Sequence, residues 1–300
     1  MAKTEKSQAT IGLLYALAGF SLLSLGDAVV KTTAGMWPGT AFASLRYVFG
    51  AIGLSVLLWR REGRAAFTMP DAALHWGRGA CVAIGASCFF VAISFMPLAE
   101  ATVISFASPI FVALLSALFL KEPASRAAWS ATGLAFAGVV IVLRPNIANV
   151  GWIGVLPLIT AMTMSVMVIL NRTVAGRASA LKMQMLISVT ALPLLLLLAV
   201  AGHVSGLPAL RVSVPDWTIV ARCALVACTG SVAHGLIYRA TERVSAANIA
   251  PVTYVQLLSA IGLGMLWFGD QPDWVTAGGS LLVVSAGLVL WRGQSSGVRS

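Results

Sequence analysis

Three ionisable side chains stand inside stretches that are otherwise apolar: Asp27 and Lys31 in SLLSLGDAVVKTTAG, and Arg46 in TAFASLRYVFG. Asp27 and Lys31 are one helical turn apart and share a face. An acid and a base in such surroundings pair with each other, hold a solute by its charge, or carry a proton. Neutral polar groups recur further along. Ser105 and Ser108 share a helix face and precede Pro109, which has no backbone N–H and frees a carbonyl one turn earlier. Asn248, Pro251, Tyr254, Gln256 and Ser259 repeat the idea, with Asn248 and Gln256 on one stripe. His234 stands in GSVAHGLIYRATERV with Tyr238 one turn on. Its ring titrates near neutral pH, which suits proton coupling, and it suits hydrogen-bonded packing equally. No phosphate loop, HExxH, GxSxG or pair of carboxylates at catalytic spacing occurs, so no catalytic residue is assigned and neither a metal nor a cofactor is expected.

The elements that carry these groups read as membrane spans. Of 300 residues 59% are hydrophobic and 10% charged, where soluble domains run near about 25% charged. A span needs about 20 apolar residues. Runs of that kind fall at 10–33, 39–59, 75–96, 101–120, 127–143, 152–170, 181–201, 216–238, 247–268 and 274–291. The expected fold is therefore an all-α membrane protein of ten transmembrane helices, with the lipid bilayer as its first partner. MWPG, RREGRAAFTMPD, KEPAS, LRPN and FGDQPD punctuate the runs with Pro, Gly and charge. The first run is long for a signal-peptide core and no cleavage site follows it, so it reads as a retained span.

The 20 Lys and Arg exceed the 10 Asp and Glu, but they are scattered singly and form no stripe, so no nucleic-acid partner is expected. Topology accounts for them. Counted along ten spans, most bases, Arg78 among them, fall on the side of the amino terminus. The loops of the other side hold Arg144 and Arg211, and Lys31, Arg46 and Arg222 lie in or at the edge of spans. That bias places both termini in the cytoplasm and the chain in a bacterial-type inner membrane. The cysteines, Cys81, Cys88, Cys223 and Cys228, sit in apolar runs and read as packing thiols rather than a disulfide framework.

A charge in a span favours the bundle interior and a partner. Asp27 and Arg46 lie at similar depth on adjacent antiparallel spans, roughly 9 to 10 Å below the outer boundary at about 1.5 Å per residue. The acid is expected to be neutralised by Arg46, Lys31 or both. Glu100, at the outer turn, reads as a solvated loop acid. Polar groups and freed carbonyls at membrane depth are tolerated only against protein or water, so the fourth and ninth runs are expected to line a cavity.

LAEATVISFASPIFVALLSALFLKEP in the fourth run lies beside SAANIAPVTYVQLLSAIGLGMLWFGDQP in the ninth as a faint repeat. Five spans separate the copies, and an odd number inverts the second in the membrane, as in many secondary transporters. From residue 10 to 291 the chain resembles the EamA-type branch of the drug/metabolite transporter superfamily. The features shared are the ten spans, the opening FSLLSLGDAVVK, and the Gly-Glu-Pro-like turns LFLKEP at Lys121 to Pro123 and WFGDQP at Gly269 to Pro272. The resemblance implies two inverted five-helix repeats, 1–147 and 148–300, and alternating access around a central cavity. It implies a small-molecule substrate that is amino-acid-like, nucleotide-derived or vitamin-like. Ser105, Ser108, Tyr254 and Gln256 would face that cavity, with Asp27 and Arg46 above it. The sixth run has Val168 opposite Asp27, so the acid belongs to one half.

The reading is a secondary transporter rather than an enzyme. Ser105, Ser108, Asn248, Tyr254, Gln256 and His234 are the candidate substrate-binding residues, and Asp27, Lys31 and Arg46 the candidate gating or coupling residues. An intramembrane enzyme acting on a lipid-linked substrate, and a membrane scaffold or sensor, are the alternatives. Substrate, direction, proton coupling and the choice between monomer and homodimer stay open at this level.

Overall fold

A computed structural model describes residues 2–108, 111–112, 114–115, 129–130, 133–142, 151–174, 176–244 and 249–297. The described elements are helical: α1 (Ala2–Lys31), α2 (Gly39–Glu62), α3 (Ala72–Ile93) and α4 (Leu98–Ser105), then α5 (Gly133–Val142). There follow α6 (Leu156–Val174), α7 (Ala180–Val204), α8 (Trp217–Thr241), α9 (Tyr254–Phe268) and α10 (Trp274–Gly297). Among the described residues, 6 helices are long and apolar enough to cross a membrane, in α1 to α3 and α6 to α8, while Gly133–Val142, Tyr254–Phe268 and Trp274–Ala286 are shorter apolar helices. Most of the fourth run and the Lys121 to Pro123 turn lie outside the described residues, as does Asn248.

Local chemistry sets the helix ends. Gly63, at φ 75°, stops α2 and returns its N–H to Trp59 O. The Ser179 hydroxyl accepts from Lys182 N at 3.1 Å to start α7, and Asp216 does the same for α8 from Trp217 N at 2.7 Å. Asp273 starts α10 by accepting from Thr276 N at 2.7 Å, and that backbone N–H holds its carboxyl below the usual carboxylate range. The ninth run enters as a 3-10 turn over Ala250–Thr253 and becomes α-helical at Tyr254. The proline in that turn has no N–H to give to an α ladder.

Lipid is as apolar as a leucine side chain, so helices in a bilayer associate through close packing rather than through escape from water. Small residues supply it here. A Cβ on Gly79 of α3 would lie 2.4 Å from Thr190 Oγ1 and 2.7 Å from the Thr190 carbonyl carbon of α7, so these two backbones nearly touch. Gly138 of α5 and Gly279 of α10 meet in the same way: a Cβ on either would fall 2.6 or 2.8 Å from the other's carbonyl oxygen. Phe42, Ile93, Leu98, Ile104, Leu195 and Leu257 fill the centre and are fully buried.

The packing runs across the two halves of the chain. α1 lies on α8 and α3 on α6; α2 lies on α7 and α4 on α9. In addition α2 touches α8, α3 touches α7, α1 touches α9 and α4 touches α6.

The two ends of the bundle are chemically distinct. At the end where α1 stops and α2 and α8 begin, Arg222 donates to Thr32 O at 3.3 Å and Trp37 Nε1 to Ser213 O at 2.9 Å. At the opposite end, Ser179 donates to Glu62 at 2.6 Å, Lys182 to Thr68 at 2.8 Å, and Arg177 pairs with Asp71. Two placements differ from expectation. Glu100 is not a loop acid: α4 begins directly after Pro97 and takes Glu100 into its first turn, where helix N–H groups favour a carboxylate, and Thr276 of α10 donates to it at 3.3 Å. Arg78 is not a surface base, because α3 starts early enough to enclose it. It is 3% exposed, donates to Asn171 Oδ1 at 2.8 Å and meets His75 Nδ1 at 2.9 Å.

Close contact at Gly79 yields a direct test. Gly79→Ala should destabilise the purified protein by about 1–3 kcal/mol, the usual cost of overpacking. Gly53→Ala, where nothing lies within 4 Å of the added Cβ, should be neutral or stabilising by up to about 1 kcal/mol. Thermal unfolding in detergent reads both, and equal melting of the two variants would show that α3 and α7 are not in backbone contact.

Candidate functional site

The polar face of α1 is directed at α9. Ser21, Ser24, Asp27 and Lys31 follow one another at helical spacing along one side. Ser24, 1% exposed, donates to the Gln256 carbonyl at 2.5 Å, and Ser259 reaches Ser21 at 3.4 Å. The Gln256 side chain lies beside the Asp27 carboxyl group. Lys31 Nζ lies 2.7 Å from Asp270 Oδ2 and 4.7 Å from the Phe268 ring centroid. Lys31 therefore pairs with an acid of the other half and not with Asp27, its neighbour one turn back. The turn after α9 makes this possible. Gly269, at φ 66°, takes the left-handed conformation that glycine adopts without strain, and Asp270 N then returns to Gly264 O at 3.1 Å. Gly264 also leaves room for the acid, since a Cβ there would sit 3.2 Å from Asp270 Oδ2.

Arg46 enters from α2. Its guanidinium lies 4.9 Å from the Tyr47 ring centroid and 5.7 Å from that of Phe90. Gly230 of α8 makes the space, because a Cβ there would fall 3.0 Å from the nearer terminal nitrogen of Arg46. From that position the cation acts electrostatically on Asp27, His234 and Cys223. No ion pair within 4.0 Å joins Arg46 to an acid among the described residues.

His234 is accessible. On α8 the exposed residues Leu225, Cys228 and Val232 form one stripe at helical spacing, while Cys223, Gly230 and Ala233 are buried on the other side. His234 is one turn beyond Gly230, on the buried side, and it is nevertheless exposed. Tyr238, one turn further along the same stripe, is exposed as well. Asp27, Arg46 and Gln256 are half-buried.

Tyr254 flanks the group. Its ring lies 5.4 Å from that of Phe106, tilted by 30°, and it packs on the central apolar core rather than facing lipid. Ser105 and Ser108, expected beside Tyr254 and Gln256, are drawn toward α6 and the turn before it. Ser105 donates to Pro157 O at 3.4 Å, Ser108 and Ser165 share a hydroxyl contact of 3.1 Å, and Ser165 donates to Ser108 O at 2.9 Å. The structure thus brings together Asp27, Arg46, Gln256 and His234, packs Tyr254 on Phe106 and the apolar core, and sends Lys31 to Asp270. Asn248 lies outside the described residues.

Four participants escaped the sequence reading. Ser24 was within reach of it, one turn before Asp27 on the same face. Asp270 carried a signal as the acid of the FGDQP turn. Phe106 and Gly230 carried none, since an aromatic or a glycine in a span is ordinary packing until its neighbour is known. Among the described residues no three His, Cys, Asp or Glu side chains come together as a metal site.

Known proteins place this arrangement in a family. A model of the EamA-like transporter family matches residues 10–144 and again 151–292. The riboflavin transporter of Rhizobium johnstonii is 27% identical over 97% of this chain and 94% of its own length. The pseudopaline exporter CntI of Pseudomonas aeruginosa is 27% identical over 93% of this chain and 95% of its own. The S-adenosylmethionine uptake transporter of Rickettsia bellii is 24% identical over 91% and 92%. A solved crystal structure matches with a TM-score of 0.56 at 20% identity, covering 95% of this chain and 96% of the other, which shows a shared fold. With both matched segments together spanning nearly all of its length, the chain belongs to the EamA-like transporter family.

Proposed function

We propose that the chain is a secondary carrier that moves a small polar or amphipathic metabolite across the inner membrane by alternating access. One observation carries this reading: a cluster of polar and charged side chains between spans of the two halves, with Asp27 and Arg46 supplied by α1 and α2 and His234 and Gln256 by α8 and α9. Relatives named for carrying riboflavin, pseudopaline and S-adenosylmethionine support a solute of metabolite size. An exporter and uptake transporters occur among them, so gradients rather than the fold set the direction.

The halves are 1–147 and 148–300, related as inverted five-helix repeats in a bundle of ten spans. The helix pairing supports this. Exchanging α1 to α5 for α6 to α10 turns the pair α1 and α8 into α6 and α3, the pair α2 and α8 into α7 and α3, and the pair α1 and α9 into α6 and α4, all of which are present. The pairs α2 with α7 and α4 with α9 map onto themselves, as do the touching glycines Gly138 and Gly279. Inversion is supported by direction. α1 ends at Lys31 beside the first turns of α8, and α6 places Asn171, in its last turn, beside Arg78 near the start of α3, on the opposite end of the bundle.

With both termini in the cytoplasm, the Lys31–Asp270 pair lies at the outer end and ties the first half to the second. Solute entering from outside requires that tie to part. Asp27 and Gln256 lie deeper on the same two helices, where solute and tie compete for the spacing of α1 and α9. Repeat proteins of this kind rock one half against the other around a fixed site.

Proteoliposomes holding the full chain test the reading by counterflow: preloaded unlabelled metabolite should draw in its labelled form without a gradient, and release of a chemically altered product instead would mark an enzyme. Asp27→Asn should insert normally and lose transport by about ten- to a hundredfold, the value of one charge-assisted hydrogen bond; full flux from a well-expressed variant would remove Asp27 from the mechanism. Lys31→Gln and Asp270→Asn should each destabilise the purified protein. Their combination should fall short of the sum by a coupling energy of about 1–3 kcal/mol, between the exposed and buried limits for an ion pair. Strict additivity in thermal unfolding would show that the tie does not hold the halves.

A further inference from the structure

Two arginines hold opposite ends of the bundle in the same way. Arg78, in the second turn of α3, donates through Nε to Asn171 Oδ1 in the last turn of α6 at 2.8 Å. Its Nη1 donates to His75 Nδ1 at 2.9 Å and lies 3.4 Å from the sulfur of Met183, in the first turn of α7. Arg222, in the second turn of α8, donates to the carbonyl of Thr32, directly after α1, at 3.3 Å. It lies 3.9 Å from the sulfur of Met36, shortly before α2. Exchanging α1 for α6, α2 for α7 and α3 for α8 turns one arrangement into the other. In each case the helix that bears the arginine is also fixed to the other half: Thr190 of α7 donates to the His75 carbonyl at 3.1 Å, and the Cys223 thiol lies 4.0 Å from the Phe42 carbonyl of α2. α6 and α1 are the elements that the two guanidinium groups reach out to hold.

We propose that Arg78 and Arg222 are opposed latches on one movement, and that Arg78, the stronger, keeps the inner end shut in the absence of solute. This rests on the carrier reading, in which the two ends open in turn. Parting α6 from α3 breaks the Arg78–Asn171 bond and opens the inner end; parting α1 from α8 breaks the Arg222–Thr32 bond and opens the outer one. The two latches differ in grip. Arg78 is 3% exposed, and a guanidinium that lost its partners there would be left as an unpaired buried charge, which is the costly case. Arg222 is half-buried, and the oxygen that accepts from it is a backbone carbonyl at the longer distance, so water replaces that bond at small cost. Neither arginine is placed against the solute. Both are positioning residues that act through the helices they hold. Arginine suits the task because its planar fork carries five donors and spans two partners at once, which a lysine ammonium on its flexible stem does not do in one fixed geometry.

Spin-label distances in the full chain, reconstituted in a bilayer without solute, test this. One pair, at Phe67 and Thr173, both exposed, spans the turn before α3 and the end of α6. The other, at Ala34 and Trp217, spans the turn after α1 and the start of α8. Labels carried on noncanonical amino acids leave the native cysteines in place. Wild type should show the short distance at the inner end. Arg222→Gln should raise the ratio of long to short outer distances by about tenfold, the low end for a hydrogen bond to a charged group. Adding Arg78→Gln to it should lower that ratio again while long inner distances appear, and Arg78→Lys should do so to a smaller degree. A residue that merely packed the inner end would leave the outer end alone. Asn171→Asp gives Arg78 a carboxylate and should act in the opposite sense, raising the outer ratio; it also decides the matter if Arg78→Gln does not fold. The proposal is overturned if the double variant is open at both ends, if neither Arg78→Gln nor Asn171→Asp moves the outer ratio, or if the inner pair is long in wild type. These distances are read without transport. Independent opening of the two ends in a protein that shows counterflow therefore removes the latches alone, while absence of counterflow removes the carrier reading on its own evidence.

Discussion

A carboxylate or guanidinium inside a bilayer is stable only where protein or enclosed water replaces the solvent it has lost. The position of α1 follows from that constraint. With Ser21, Ser24, Asp27 and Lys31 along one side, the helix cannot present that side to lipid, and it finds in α9 a complementary series of Ser259, Gln256 and Asp270. Each contact is small. Together they fix the rotation of α1, which brings its other surface against α8 and sets Asp27 beside the space where Arg46 rests on Gly230.

The scaffold repeats where the charges do not. Ser24 donates to the Gln256 carbonyl and Ser165 to the Ser108 carbonyl, the same bond made once by each half. Phe106 and Tyr254 stand at matching distances before Ser108 and Gln256, and they meet each other. A side chain of α2, Arg46, fills the notch of Gly230 in α8, and a side chain of α7, Thr190, lies over Gly79 in α3. By sequence, Val168 stands opposite Asp27 and is uncharged. Matching frames allow two halves to exchange roles at the two ends of the bundle.

The helices were legible in the sequence because bilayer thickness imposes a length and a composition that few other constraints mimic. Helix limits held within a few residues where Gly, Pro or a capping acid marked them, as at Gly63 and Asp216, and failed where a proline lay inside the run, as at the start of α9. The site was legible as a set of residue types but not as a set of pairs. Asp27 and Lys31 share a face, and spacing alone offers each to the other; only the approach of α9 reveals that Gln256 lies beside one and Asp270 pairs with the other. Ser105 and Ser108 went astray for the same reason, since a hydroxyl in a span bonds whichever backbone lies nearest, and that is set by helix packing. Arg78 counts among the bases of the amino-terminal side by sequence, and only the packing of α3 against α6 reveals that it is buried against Asn171.

One pair of helices carries both the outer tie and part of the site, and that has a thermodynamic consequence. Asp27 and Lys31 are rigidly spaced on α1, while Gln256 and Asp270 belong to α9 and the turn that closes it. A helix does not change the distance between its own residues at appreciable rates, so parting Lys31 from Asp270 tilts α1 against α9 and alters the separation of Asp27 from Gln256. A solute bound between those two groups therefore has different affinities in the tied and parted states. By linkage it shifts the balance between them by the ratio of those affinities and by no more. Since Lys31 and Asp270 are partly sheltered, at 11% and 18% exposure, the bias they impose is modest. A solute that makes one additional charge-assisted hydrogen bond in the parted state is enough to offset it. In the proposed carrier, the ion pair and the Asp27–Gln256 spacing are two readouts of one coordinate, the angle between α1 and α9, and the charges in an otherwise apolar helix are what would couple that angle to the solute.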